Sequence, residues 1–205
     1  MDNVYEMDGL PIRTGDILCM RDGGRRGVLE RLWTAIGALI PGEVDHCALY
    51  IGPEGRFVEA DAHGVTVLTM PGTHWDARAL VRQRLFVDTL VGVAYPLQGK
   101  GLAMQEETRI RESVAEYCLA QAAADKPFNF NLFNATNPNR TYCSQLIAEA
   151  YRSQGIELTR RQPVAGLRIF RRAIFPEALW VGSPHRRVQE SGLRFGDAET
   201  SNPAA

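Results

Sequence analysis

The chain of 205 residues carries 23 Lys and Arg against 24 Asp and Glu, a formal net charge of −1, and 45% of its residues are hydrophobic. That length and apolar share support one substantial core and do not demand a second, so a single domain over 1–190 followed by a disordered tail over 191–205 is expected. Balanced charge leaves no global field for nucleic acid or an anionic membrane, and no apolar run approaches the roughly 20 residues that span a bilayer.

The opening MDNVYEMDGL lacks the basic and apolar regions of a signal peptide and reads as a short polar lead. GDILCM at 15–20 predicts a first strand, and the glycines of the following RDGGRRG loop lack the lysine that a phosphate-binding loop needs. Val28, Leu29, Leu32, Trp33, Ile36, Leu39 and Ile40 recur at helical spacing and predict an amphipathic helix over 27–40, stopped by Pro41 and Gly42. The pattern then changes to short β-rich runs, VDHCALYIG, RFVEAD, GVTVLTM and ALVRQR, separated by Pro and Gly breaks, which predicts an antiparallel meander. Ile110, Val114, Tyr117, Cys118 and Gln121 align along a second helix over 106–124, which assigns Cys118 to a core stripe.

KPFNFNLFNATNPNR is an irregular stretch leading into RTYCSQLIAEAYRSQG. There Cys143, Leu146, Ile147, Ala150 and Tyr151 share one stripe of a third helix that Gly155 ends. With Thr141 as the N-cap, Cys143 falls in the first turn, where unpaired backbone N–H groups and the helix dipole favour a thiolate. Beyond Leu158 the chain reads as loop with short apolar pieces such as FPEALWVG. The paired arginines at 25–26, 160–161, 171–172 and 186–187 read as solvated charge.

The four cysteines, Cys19, Cys47, Cys118 and Cys143, make no CxxC spacing and no disulfide framework, which predicts a reduced, cytoplasmic chain. Cys19 and Cys47 lie within strands and read as small apolar fillers. A thiol nucleophile needs a base within hydrogen-bond reach and a third group that orients the base. His46 is the best base, sharing a strand face with Val44, Ala48 and Tyr50 while Cys47, Leu49 and Ile51 take the other. Glu59 on the next strand projects from the same face, although a simple hairpin register brings Ala62 or His63 nearer to His46, so that Glu59 needs twist or a bulge to meet the ring. His63, His74 and His185 make no metal-ligand spacing with any cysteine, and no metal or cofactor is expected.

The runs GDIL, DHCALYIG, FVEADAHGV and YCSQLIAEAY, followed by GIEL and FPEAL, resemble the permuted branch of the NlpC-type papain-like superfamily, in particular the YiiX/YebB-like proteins, over about 14–185. In that branch, as in lecithin:retinol acyltransferase-like enzymes, the histidine precedes the cysteine. The resemblance implies an α+β fold in which an antiparallel sheet or small barrel packs against the helix that presents the nucleophile. It places Cys143 as nucleophile, His46 as base and Glu59 as the residue orienting the base, with the backbone N–H of Cys143 in the oxyanion hole. The reaction it implies is hydrolysis of an amide or peptide bond in a small peptide or amino-acyl substrate through a thioester. Two rival expectations are a lipid acyltransferase or phospholipase-like enzyme and a non-catalytic binding module on the same fold. No residue pattern specifies an oligomeric state.

Overall fold

A computed structural model describes residues 4–22, 42–80, 84, 88–131, 137–159 and 173–188. The helix expected over 27–40, the tail over 191–205 and the arginine pairs at 25–26, 160–161 and 171–172 lie outside the described residues. The strands are β1 (Tyr5–Met7), β2 (Leu10–Ile12), β3 (Ile17–Asp22), β4 (His46–Tyr50), β5 (Arg56–Asp61), β6 (Gly64–Thr69), β7 (Asp88–Ala94) and β8 (His185–Arg187). The helices are α1 (Ala77–Leu80), α2 (Met104–Ala123), α3 (Cys143–Ser153) and α4 (Pro176–Val181).

Six strands form one antiparallel sheet in the order β6-β5-β4-β3-β7-β8, an open sheet rather than a closed barrel among the described residues. Alternation of side chains sorts the core into two layers. On one face Cys47, Leu49, Val58 and Ala60 pack against Ile110, Val114 and Cys118 of α2, against Leu146, Ile147 and Ala150 of α3, and against Leu179 and Trp180 of α4. On the other, Leu18, Met20, Ala48, Tyr50, Phe57 and Leu68 pack beneath the β1–β2 hairpin with Met7, Leu10 and Ile12. The fold is therefore three layers, helices on sheet on hairpin, as the α+β expectation requires.

Several elements depart from their sequence reading. The supposed polar lead is the β1–β2 hairpin, turned by Asp8 and Gly9 with φ of 49° and 76°, the Asp-Gly pair that suits a tight two-residue turn. ALVRQR does not begin as a strand. Asp76 accepts hydrogen bonds from the N–H groups of Arg78 at 2.9 Å and Ala79 at 3.3 Å, and so caps α1 instead. DTLVGVA is the interior strand β7, with a bulge opposite the Cys19–Met20 step. Gly92 lies where β8 and α4 crowd in, since a Cβ there would sit 2.1 Å from the Arg186 carbonyl and 2.8 Å from Trp180. FPEALWVG is the short helix α4, with Pro176 in its first turn.

The helix and sheet layers are tied by buried polar bonds. Arg111 of α2 pairs with Asp16 at 2.8 Å and donates to the Thr14 carbonyl at 2.8 Å. Tyr151 of α3 donates its hydroxyl to the Gly15 carbonyl at 2.5 Å, and the Gly15 N–H donates in turn to the Tyr50 carbonyl at 2.8 Å. The start of β3, the end of β4 and α3 thus share one bonded junction. Tyr151→Phe strips the Gly15 carbonyl of that donor and is expected to cost about 1–3 kcal/mol. A lower urea midpoint with an unchanged slope supports this, and an unshifted midpoint contradicts it.

Candidate active site

Three chain segments converge where α3 begins. The segment before it is held by the Asn129 N–H on the Thr141 carbonyl at 2.8 Å and the Thr141 N–H on the Pro127 carbonyl at 3.2 Å. Thr141 does not cap the helix: its hydroxyl donates to the adjacent Tyr142 carbonyl at 3.4 Å, and the capping position is Tyr142, extended and without a side-chain cap. Tyr142 is buried and accepts the Ile174 N–H on its phenol oxygen at 2.9 Å, while Ser144 donates to the Ile174 carbonyl at 2.7 Å. Cys143 is thereby fixed as the first residue of α3. Of the four free cysteines it alone retains exposed surface, 8% against 0% for Cys19, Cys47 and Cys118.

His46 opens β4, opposite Met20 of β3. The two N–H groups just upstream, of Glu43 and Val44, both donate to Glu177 of α4, at 3.1 and 3.0 Å, which anchors the approach to the strand. Val44 precedes the strand and packs in the helix-side core, not on the His46 face as alternation alone predicts. Glu59 and His46 meet: Nε2 of the ring lies 3.0 Å from Oε2 of a carboxylate with no exposed surface.

The register explains how. Leu49 pairs with Val58 and Tyr50 with Phe57; continued, this places Asp61, not Ala62 or His63, opposite His46. Glu59 is then the diagonal neighbour on the same face, a distance that long side chains bridge. Glu59 thus takes Nε2 of the ring, and the Cys143 sulfur acts electrostatically on the same imidazole. A residue at the head of a strand can serve both partners, Glu59 on the hairpin side of the sheet and Cys143 on the helix side.

Cys47 is more than a filler. It faces the helices in the same core cluster as Cys143, and the two thiols shift one another's titration in opposite directions. The Cys143 thiol is held well below the ordinary cysteine range, first by the Cys47 thiol, against burial, and then by the charge and hydrogen bond of His46. Burial opposes a charged His46, but the Cys143 sulfur and then Glu59 lift the imidazole well above its usual value. Burial also pushes Glu59 upward, and the His46 hydrogen bond, the His46 charge and the Arg84 charge outweigh it, leaving the carboxyl below its usual range. The arrangement therefore favours thiolate, imidazolium and carboxylate together, and the two shifted titrations belong to the pair.

Behind Glu59 lies a layer that the sequence does not reveal. Arg84 Nε is 3.3 Å from Glu59 Oε1, with both side chains fully buried, and another Arg84 nitrogen pairs with Asp88 at the start of β7. The Arg84 guanidinium also lies 5.7 Å from the centre of the Trp75 ring. His63 pairs with Asp61 at 3.5 Å, His74 with Asp8 at 3.2 Å, and His185 stacks on Trp180, so none of these joins the His46 group.

The sequence over 30–175 matches the family described as permuted papain-like amidase enzyme, YaeF/YiiX, C92 family, which is more than half of the chain. The chain belongs to this family. It is a cysteine peptidase or amidase-type hydrolase by that membership. Its fold is similar to the crystal structure of metalloprotein yiiX from Escherichia coli O157:H7, with a TM-score of 0.54 and 15% identity over 86% of this chain and 96% of that one. No curated protein matches. "Metalloprotein" is said of yiiX; among the described residues of this chain no group of three or more His, Cys, Asp or Glu side chains could hold a metal ion. Among them, too, no helix is long and apolar enough to cross a membrane.

Removing the Cys47 donor tests the sulfur geometry. In Cys47→Ala the pH midpoint for iodoacetamide labelling of Cys143 is expected to rise, with Cys47→Ser restoring part of the shift through its hydroxyl. Identical profiles in all three proteins would contradict the contact.

Proposed function

We propose that this chain hydrolyses an amide or peptide bond of a small peptide or amino-acyl substrate through Cys143, His46 and Glu59. One observation carries the proposal: His46 touches Glu59 through Nε2 at 3.0 Å while its charge and that of the Cys143 sulfur favour one another, the two-sided engagement that nucleophilic thiol catalysis requires. The sulfur attacks the substrate carbonyl carbon, forming the C–S bond as the carbonyl electrons move to oxygen. The backbone N–H of Cys143, at the unpaired end of α3, donates to that oxyanion. Collapse breaks the C–N bond, and the His46 imidazolium protonates the departing amine. The now neutral imidazole takes a proton from water, whose oxygen attacks the thioester carbonyl and releases the acid and the thiolate.

Glu59 acts throughout as acceptor for the Nε2 proton, fixing the tautomer of the ring. In the segment leading to the nucleophile, Phe130 is 57% exposed and meets Phe128 edge-on with centroids 5.0 Å apart. Phe128 bridges Thr141, two residues before the nucleophile, which supports an apolar wall for the acyl side chain. The four free, buried cysteines support a reducing, cytoplasmic setting.

The sign of the pH dependence follows from the two shifts. The lowered Cys143 thiol keeps the nucleophile charged at more acid pH than an ordinary cysteine allows, and the raised His46 keeps the proton donor charged at more alkaline pH than an ordinary histidine allows. Activity is expected to be flat through neutral pH, falling on the acid side as sulfur is protonated and on the alkaline side as the imidazolium is lost. Incubation with amide and with phospholipid libraries, followed by mass spectrometry, is expected to find an acyl adduct on Cys143 from amides. The adduct should vanish in Cys143→Ala and form at least about 10²-fold more slowly in His46→Ala. An adduct from phospholipid alone would transfer the site to lipid acyl chemistry, and no adduct from either library would leave the binding-module reading in place.

A further inference from the structure

The geometry points to Arg84 as the positioning residue of the site, its buried guanidinium paired with the second oxygen of Glu59 while the first is aimed at His46. The inference rests on the hydrolase reading and extends it one residue deeper.

Glu59 has two oxygens and divides them. Oε2 takes His46 at 3.0 Å and Oε1 faces Arg84 Nε at 3.3 Å. The contact between Oε1 and Arg84 Nε is an ion pair without a hydrogen bond between the two atoms, so what Arg84 brings to the carboxylate is a fixed positive charge at its second oxygen. That charge stays in place because Arg84 does not move freely itself. Another of its nitrogens bonds Asp88 on β7, the face of Trp75 lies against its guanidinium, and the rigid planar fork carries both restraints to Nε. The three ionic side chains lie with at most 2% exposure, so solvent screens them little.

The charges facing the Cys143–His46 pair alternate in order: sulfur negative, imidazolium positive, Glu59 negative, Arg84 positive, Asp88 negative. Cys47 adds a neutral thiol beside the sulfur. Asp61, next on the Glu59 face of β5, is engaged with His63. Removing Arg84 leaves two buried carboxylates with no cation between them and only the His46 imidazolium on the other side of Glu59. The proton affinity of Glu59 then rises, its hold on His46 weakens, and the imidazolium–thiolate pair loses ground to the neutral pair. Burial already pushes Asp88 up to about 6 against the pull of Arg84, so this end of the chain of charges takes up protons first when the cation is gone.

A buried arginine could equally be a tie between β5 and β7, and the test separates the two roles. Because Arg84→Met alone strands Asp88, the principal variant is Arg84→Met/Asp88→Asn, with Asp88→Asn as its reference and Arg84→Lys as the conservative replacement. The readout is the pH profile of Cys143 alkylation by iodoacetamide, measured beside the thermal midpoint of each variant. Relative to Asp88→Asn, the double variant is expected to shift the alkylation midpoint upward by about one pH unit and to slow labelling at the acid end about tenfold. Arg84→Lys is expected to recover part of that shift. Adding Glu59→Gln should abolish the difference, because Arg84 acts only through that carboxylate. A lowered thermal midpoint with an unmoved profile, or an Arg84 effect that persists in full with Glu59→Gln, overturns the inference. If the unmodified protein itself labels only near about 8.5 and His46→Ala changes nothing, the hydrolase reading falls and takes this one with it; if it labels well below that and the Arg84 variants follow it, the inference alone falls.

Discussion

A carboxylate without exposed surface on an interior strand of the sheet sets the terms for this structure. Unpaired, an ionised Glu59 would cost several kcal/mol of lost hydration and would take up a proton instead. It stays a carboxylate because His46 engages one oxygen and Arg84 faces the other. The same two contacts that make its burial tolerable also give the imidazole a fixed direction and a reason to be charged. A charged His46 in turn helps hold the Cys143 sulfur as thiolate. Fold and chemistry therefore depend on the same ionic contacts.

Placement at the ends of regular elements makes the arrangement possible. His46 opens β4 and Cys143 opens α3, so each retains the support of a rigid element while its side chain lies at an element boundary. The approaches are pinned from elsewhere in the chain. Glu177 of α4 captures the two N–H groups before His46, and Ile174 is bonded to both Tyr142 and Ser144 around the nucleophile. α4 and the residues just before it thus brace both halves of the site. The order of histidine and cysteine in the chain is immaterial to this geometry, as a triad is defined by where its members meet.

Some of this is legible in the sequence. The α3 stripe and the β4–β6 alternation have clear periods, and with the family motifs they single out Cys143, His46 and Glu59 as the residues that the fold brings together. The hairpin MDGL carries the Asp-Gly signal of a tight turn, yet its strands are only three residues each, too short to show alternation. β7 is buried along nearly its whole length, so it shows no clean polar face. The register that places Glu59 diagonal to His46 depends on the positive-φ residues Gly52, Glu54 and Gly55 around the turn. Cys47 looks like any small strand residue until the α3 cysteine is placed against it. Arg84 and Asp88 look like surface charge in a polar stretch; only the tertiary meeting of β5, β7 and the connection between α1 and β7 shows them buried. What a sequence hides here is the second partner of each reactive group, because that partner is supplied by packing between distant elements.

The central claim is that sulfur and imidazole share a charge-separated pair in the resting protein. Thiolate absorbs in the ultraviolet where thiol does not, so a titration of that absorbance in the intact chain, with Cys143→Ala subtracted, reports the charge on this sulfur alone. The account predicts a difference signal already present at neutral pH and lost only well into the acid range. A signal that emerges only near about 8.5 or above, as for an ordinary thiol, would contradict it.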